Sequence, residues 1–295
     1  MSGKLKEVRD RMKSVSSTQQ ITSAMKMVAA AKLRRAQDSI VRLRPFTKKF
    51  YSILTHILDN LDGNVNTPFA NARPVSKALV VVVTSNRGLC GAFNSNIIKM
   101  AVQRIDEQYA QVRASGGLTI MCIGKRGFDY FKKHYADCTL VEDHVDLFQN
   151  LVYCDVEQVA DSIMESYISQ DYDAVDVAYG RFKNPAVQFP ELANLLPIPI
   201  KKEKLKTSRA DYIFEPGQEE LLNQLVPSIL RSEFYKFMLD TQASEHGARM
   251  TAMEMATENA QEMLKDLRLS YNKARQEAIT RELSEIVSGA AALEG

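Results

Sequence analysis

Apolar residues in the first arm of this chain recur by threes and fours. Leu5, Val8, Met12 and Val15 fall on one helical face, which meets the polar Gln19 and Thr22 and resumes with Ala29, Leu33, Ala36, Ile40 and Leu43. That is a coiled-coil seam with a polar interruption. Around the interruption a second patch forms from Ile21, Met25, Val28 and the run Ala29-Ala30-Ala31, whose small side chains permit close approach by a neighbour. Pro45 is expected to kink or end this helix, although Phe50, Ile53, Leu54, Ile57 and Leu61 keep helical spacing beyond it. Asp62-Gly63-Asn64 and the stretch from Pro68 to Pro74 read as a loop.

The far end of the chain has the same character. From Ser228 onward there is no proline, and Met250, Met253, Thr257, Ala260, Leu264, Leu267, Tyr271, Ala274 and Ala278 again step by threes and fours. A helix from Ser228 to Ser288 would run roughly 90 Å, and a helix of that length needs a packed face. The first arm is the only comparable partner. Two arms at opposite ends of a chain, flanking one domain, pair antiparallel, and the longer projects past the shorter. Gly247 stands where alanine would cost less, so it marks a bend or a close contact.

Between the arms the pattern alternates strand and helix. Lys77 to Thr84 is a continuous apolar run suited to a strand buried on both faces. Ser85 to Gly91 is a turn, and Asn94 is a plausible N-cap for a helix through about Ala114. Gly116-Gly117 breaks that helix before a strand from Leu118 to Ile123. Helices follow over Gly127 to Tyr135 and Asp155 to Ser169, with a strand from Ala174 to Tyr179. Pro185 to Pro199 reads as extended edge structure, and Arg209 to Phe214 as a last strand. The expected fold is α/β: an antiparallel coiled coil of the terminal helices plus a doubly wound, Rossmann-like middle domain. The divisions are residues 1–60, 75–208 and 209–295, with the second arm beginning near Gln218.

Composition narrows the function classes. The chain has 295 residues, 45% hydrophobic and 25% charged, and no apolar run long enough to span a membrane. Residues 1–50 carry 13 Lys or Arg against Glu7, Asp10 and Asp38, a charge of +10 set against +2 for the whole chain. Such a basic arm suits nucleic acid, anionic lipid or an acidic protein surface. It has no aromatic residue before Phe46, which serves base stacking poorly. Cys90, Cys122, Cys138 and Cys154 lie far apart, as in a reduced compartment. With His56, His134, His144 and His246 they form no metal-ligand spacing.

The turn Thr84 to Asn94 sits where doubly wound sheets bind ligands. Gly88-x-x-Gly91 is nevertheless neither a Rossmann fingerprint nor a P-loop, and Gly124-Lys125-Arg126 lacks the rest of a phosphate loop. Gly88 and Gly91 are expected to serve a tight turn and Cys90 to be a buried small side chain. No Ser/His/Asp set or paired-carboxylate site is visible, so neither catalysis by the chain alone nor a cofactor or metal is expected. An anion- or nucleotide-binding α/β protein with a coiled-coil oligomerisation arm is the alternative.

Three segments on the arms are the most specific. They are Ile21 to Ala36 (ITSAMKMVAAAKLRRA), Ser244 to Met253 (SEHGARMTAM) and Tyr271 to Ala290 (YNKARQEAITRELSEIVSGA). With Arg87-Gly88-Leu89-Cys90-Gly91 they resemble the gamma subunit family of the rotary F-type ATP synthases, over essentially the whole chain. The resemblance implies a non-catalytic rotor shaft, one copy per complex, inside a ring of alpha and beta subunits. The epsilon subunit and the membrane-embedded c-ring are then the partners at its base. It also implies beta-subunit contacts at Met25, Lys26, Arg34, Arg35, Arg249, Arg275, Gln276 and Thr280, and a c-ring-proximal position for Tyr212 and Phe214. The basic arm then faces acidic loops of protein, not nucleic acid. Without the closely spaced cysteine pair of chloroplast members or a visible transit peptide, a bacterial protein is expected. It would be peripheral, on the cytoplasmic face of the inner membrane.

Overall fold

Six aliphatic residues in a row make β1 (Ala78–Val83), and every one is fully buried. A strand alternates its side chains between faces, and here both faces are covered. Leu79, Val81 and Val83 join one apolar cluster, while Ala78, Val80 and Val82 join another. The computed structural model describes residues 3–60, 67–70, 73–198 and 218–294.

The strands are β1, β2 (Leu118–Ile123), β3 (Thr139–Val141), β4 (Ala174–Asn184) and β5 (Val187–Leu196), arranged in the order β3-β2-β1-β4-β5. The first four are parallel, and β5 pairs antiparallel with β4 at the edge. The helices are α1 (Gly3–Asn60), α2 (Phe93–Gln108), α3 (Ala110–Ala114), α4 (Lys125–His134), α5 (Tyr153–Ile168) and α6 (Gln218–Glu294). One face of the sheet carries α2 through Ile97, Ala101 and Ile105, and α4 through Phe131. The other carries α5 through Val156, Val159 and Ile163, together with Phe234 and Phe237 of α6. This is the three-layer, doubly wound arrangement that strand–helix alternation requires.

The chain divides into two units: Met1–Ala29 with Arg249–Gly295, and Ala30–Ala248. In the second, Phe50 and Ile53 of α1 pack on the cluster that holds Val226, Ile229 and Leu230 of α6. In the first, the arms are antiparallel. The Thr22 and Thr257 hydroxyls lie 2.8 Å apart, and Lys26 Nζ donates to Glu254 Oε1 at 2.5 Å. The expected seam is the one observed. Met253, Ala260, Leu264 and Ala274 are buried, and Leu5, Val8, Met12 and Val15 are partly covered.

Several expectations are corrected. Pro45 does not end the first helix; α1 runs through it, as α6 runs through Pro227. A proline forfeits one backbone hydrogen bond, and α1 packs on both sides of Pro45, at Ile40 and at Phe50. Asn94 is not an N-cap: α2 starts at Phe93, flanked by Ala92 with no side-chain cap. The helix also breaks at Tyr109, leaving α3 separate. The short β3 and a 3-10 turn at Leu147–Gln149 carry too little periodicity to be read from sequence. The strand expected over Arg209 to Phe214 lies outside the described residues. Gly247 is explained by a close approach: a Cβ there would stand 3.2 Å from Pro185 O and from Gln188 Nε2 on the β4–β5 hairpin.

Candidate functional site

Open parallel sheets bind ligands where the strand order reverses, beyond the carboxyl ends of the strands. Here that place lies between β1 and β4, and it is filled. The Phe93 ring comes so close to Gly180 on β4 that a Cβ there would stand 2.6 Å from it. Thr241 Oγ1 of α6 accepts from Gly180 N at 3.2 Å, and Ser244 Oγ donates to Gly180 O at 3.0 Å.

Several backbone donors near this place are engaged within the protein. At the start of α4, Lys125 N donates to Asn86 Oδ1, Arg126 N to Ser85 O and Gly127 N to Thr84 Oγ1. In the turn, Ser85 N donates to Asn94 Oδ1 at 3.0 Å, and Asn94 Nδ2 donates to Cys90 Sγ at 3.2 Å. Asn94 thus closes the turn from inside the helix. Cys90 is buried beneath it, 2% exposed, as expected of a small core side chain. The glycines act differently from each other. Gly91 takes a left-handed φ of 59°, as does Leu89 at 63°, whereas Gly88 is small because the Arg126 guanidinium lies over it. Leu89 stands 64% exposed at the apex.

A cleft of about 590 Å³ opens at the opposite, amino-terminal edge of the sheet, lined by Arg73, Ser76, Arg104, Tyr109, Asp173 and Asn194 among others. Its charges are matched in pairs. Asp176, fully buried in β4, accepts from Arg104 Nε at 2.6 Å, Tyr109 Oη at 2.8 Å and Asn194 Nδ2 at 3.2 Å. Burial and the Asp176 charge push the Tyr109 phenol far up. Asp173 accepts from the Ser76 and Lys77 amides and the Ser76 hydroxyl, and pairs with Arg73. Burial opposes its charge, yet those donors hold its carboxyl below the usual range. This is ion-pair scaffolding for the start of β4. Among the described residues no cluster of His, Cys, Asp or Glu could hold a metal ion.

The arm residues remain. In the arm unit, Met25 and Lys26 are partly covered, and the Lys26 ammonium is engaged by Glu254. Arg249 is partly covered and has interactions of its own. Arg275, Gln276 and Thr280 are exposed, and Arg275 lies about 30 Å along α6 from Glu254. Arg34 and Arg35 belong to the other unit and are exposed on α1. Within the arm unit, Arg275, Gln276 and Thr280 are therefore not gathered with Met25 and Lys26 into one site. Tyr212 and Phe214 lie outside the described residues. Glu254 was missed by sequence reading, because only the register of the arms brings it to Lys26.

Past Ala278 every described side chain of α6 is exposed, including Ile279, Leu283, Ile286 and Val287 at 48–67%. At the register of Thr22 and Thr257, the described part of α1 ends near this level. Ile21, Met27 and Val28 of α1 are likewise 57–66% exposed, facing away from the seam. No helix among the described residues is long and apolar enough to cross a membrane. Contiguous exposed apolar surface is where a partner can pack.

A family model described as ATP synthase matches residues 4–293. A Cytophaga hutchinsonii protein named ATP synthase gamma chain is 47% identical over 292 residues, 98% of each chain. One of the same name from Chlorobium chlorochromatii is 47% identical over 295 residues, 99% of each. Among solved structures, a chain of the Euglena gracilis mitochondrial ATP synthase superposes with a TM-score of 0.65 at 22% identity, covering 99% of this chain and 95% of that one. That likeness speaks for the fold, and the full-length identities speak for the family. The chain belongs to the ATP synthase gamma-chain family.

Proposed function

We propose that this chain is the rotor shaft of a proton-translocating F-type ATP synthase, non-catalytic by itself. It would stand as one copy inside a ring of alpha and beta subunits, with epsilon and the c-ring at its base. The observation that carries this is the end of α6. Ile279, Leu283, Ile286 and Val287 are largely exposed on a helix that has no described neighbour over most of their surface, and such a helix has little stability unless something surrounds it. A ring of partner subunits supplies that cover.

The mechanism follows from asymmetry. A single chain inside a threefold ring presents a different face to each catalytic position, so each is biased toward a different conformation. Equal contact with all three would shift nothing. Turning the shaft, driven by proton flow through the membrane sector, passes those states around the ring. The exposed Arg34, Arg35, Arg275, Gln276 and Thr280, with Met25 and Arg249, are the residues assigned to the beta subunits. Tyr212 and Phe214 are assigned to the c-ring end. Peripheral attachment to the cytoplasmic face of a bacterial inner membrane accords with this reading.

The experiment is reconstitution. The purified chain should neither hydrolyse nor tightly bind ATP, and with alpha and beta subunits it should support rotation-coupled turnover. In membranes, Met25→Lys should lower ATP-driven proton pumping relative to hydrolysis, and an unchanged ratio would remove Met25 from the coupling set. Against the nucleotide-binding alternative, the first amides of α4 and the Ser85 amide are already used within the protein. Calorimetry showing nucleotide binding abolished by Gly91→Val would revive it.

A further inference from the structure

Apolar residues at nearly the same spacing on both arms give them little steric means of choosing their register. At the observed register Thr22 faces Thr257 and Lys26 faces Glu254. Carried along both helices, it sets Gln19 beside Ala260, Val15 beside Leu264, Met12 beside Leu267 and Leu5 beside Ala274. Slipping α1 by one turn in one direction sets Val15 beside Leu267 and Thr22 beside Ala260. Slipping it in the other sets Met12 beside Leu264 and Thr22 beside Met253. Either slip preserves an apolar seam, because the repeat is close to the helical period on both arms. Nor does the threonine pair decide the matter alone. Each hydroxyl also reaches a carbonyl of its own helix, Gln19 O at 3.1 Å and Met253 O at 2.7 Å, so neither would be stranded by a slip.

The charged pair discriminates against one slip and the polar layer against the other. One slip puts Lys26 beside Thr257 with Glu258 still within reach, but it moves Gln19 against Met263 and Thr22 against Ala260, so the polar layer is what opposes it. The other puts Lys26 beside Met250 and Arg249, like charge against like. Only the observed register sets Lys26 against Glu254.

We infer that the Lys26–Glu254 pair, supported by the Thr22–Thr257 layer, is a register clip that fixes the axial alignment of the two arms. Lys26 is thus a positioning residue acting through the second arm, rather than a contact to a beta subunit. The consequence for coupling rests on the rotor reading above; the clip itself does not. Two faces that must meet a ring in step, one from each arm, need a fixed axial offset.

The test uses the full chain with Cys138 and Cys154 changed to serine and spin labels at exposed Thr18 and Lys273. In this register those positions are offset along the axis by about 18 Å, and a one-turn slip changes that by about 5 Å. Lys26→Glu should broaden or shift the interlabel distance distribution, and Lys26→Glu with Glu254→Lys should restore it. In membranes carrying the assembled complex, the ratio of proton pumping to ATP hydrolysis should fall in the single variant and recover in the double. A distribution unchanged by Lys26→Glu overturns the clip. So does a distribution that the double change fails to restore, since Lys26 would then act on something other than Glu254. A register that shifts and recovers while the coupling ratio never moves sustains the clip and counts against the rotor reading.

Discussion

Asp240, on α6, is a carboxylate only 7% exposed, and no hydrogen-bond donor to it is found among the described residues. Burial pushes its pKa up to about 6 from an ordinary 3.8, although Lys236 on the same helix and Arg44 on α1 pull it down. Glu191 adds to the rise, and Arg181 offsets it. The perturbation is Asp240→Asn, which keeps the shape and removes the charge. An acid whose folded pKa is raised binds its proton more tightly when folded. Its contribution is therefore fully present below about pH 4 and is lost as pH rises through about 6. A shift of about two units corresponds to ~3 kcal/mol. The asparagine chain should thus be more stable than the parent by up to that amount at pH 8, with the difference vanishing toward pH 4. Ten of the eleven tyrosines lie between Ala30 and Ala248 and there is no tryptophan, so tyrosine emission in a urea titration reports on this unit. With a slope near 3 kcal/mol/M, the midpoint should move up by about 1 M at pH 8. An asparagine variant less stable than the parent at pH 8, or a gap independent of pH, would refute the reasoning.

Other expectations concern the middle unit and the end of α6. Asp176→Ala leaves Arg104 and Tyr109 facing each other without their shared anion, and should cost about 3–5 kcal/mol in the same titration. Gly124→Ala should be severe, about 2 kcal/mol or more, because φ is 103° and a Cβ would stand 2.1 Å from Thr84 O. Gly289→Ala should do the opposite. It is helical with nothing within 4 Å, so in the isolated chain helicity by circular dichroism should hold or rise, by up to about 1 kcal/mol of stability.

Local regularity explains what was legible. The seam from Leu5 to Leu43, its counterpart from Met250 to Ala278 and the bare apolar run of β1 are periodic over many residues, and periodicity survives without knowledge of neighbours. The short β3, the break at Tyr109 and the cap of α2 were not legible, because each depends on a few residues. Asn94 illustrates this: it has the side chain of an N-cap, but Ser85 and Cys90 lie within its reach and take its hydrogen bonds. Pro45 failed as a helix stop because packing on either side keeps α1 helical across a missing hydrogen bond.

The candidate residues divide in the same way. Met25, Arg275 and Thr280 could be named from motif alone, since the motif is a stretch of contiguous chain. Their partners could not, because Glu254 reaches Lys26 only through a register spanning 228 positions. Likewise the turn from Arg87 to Gly91 follows a strand where such sheets bind ligands, although its glycines read as those of a tight turn. Only the packing of Phe93, Thr241 and Ser244 onto Gly180 reveals it as closed. By itself the sequence determined that two long helices flank a doubly wound α/β unit, because hydrophobic period is a one-dimensional property. The tertiary structure alone decided which side chains meet across the arms, which backbone donors are already used and which apolar faces stay bare. Those are properties of alignment in space, where a shift of a single helical turn changes every pair.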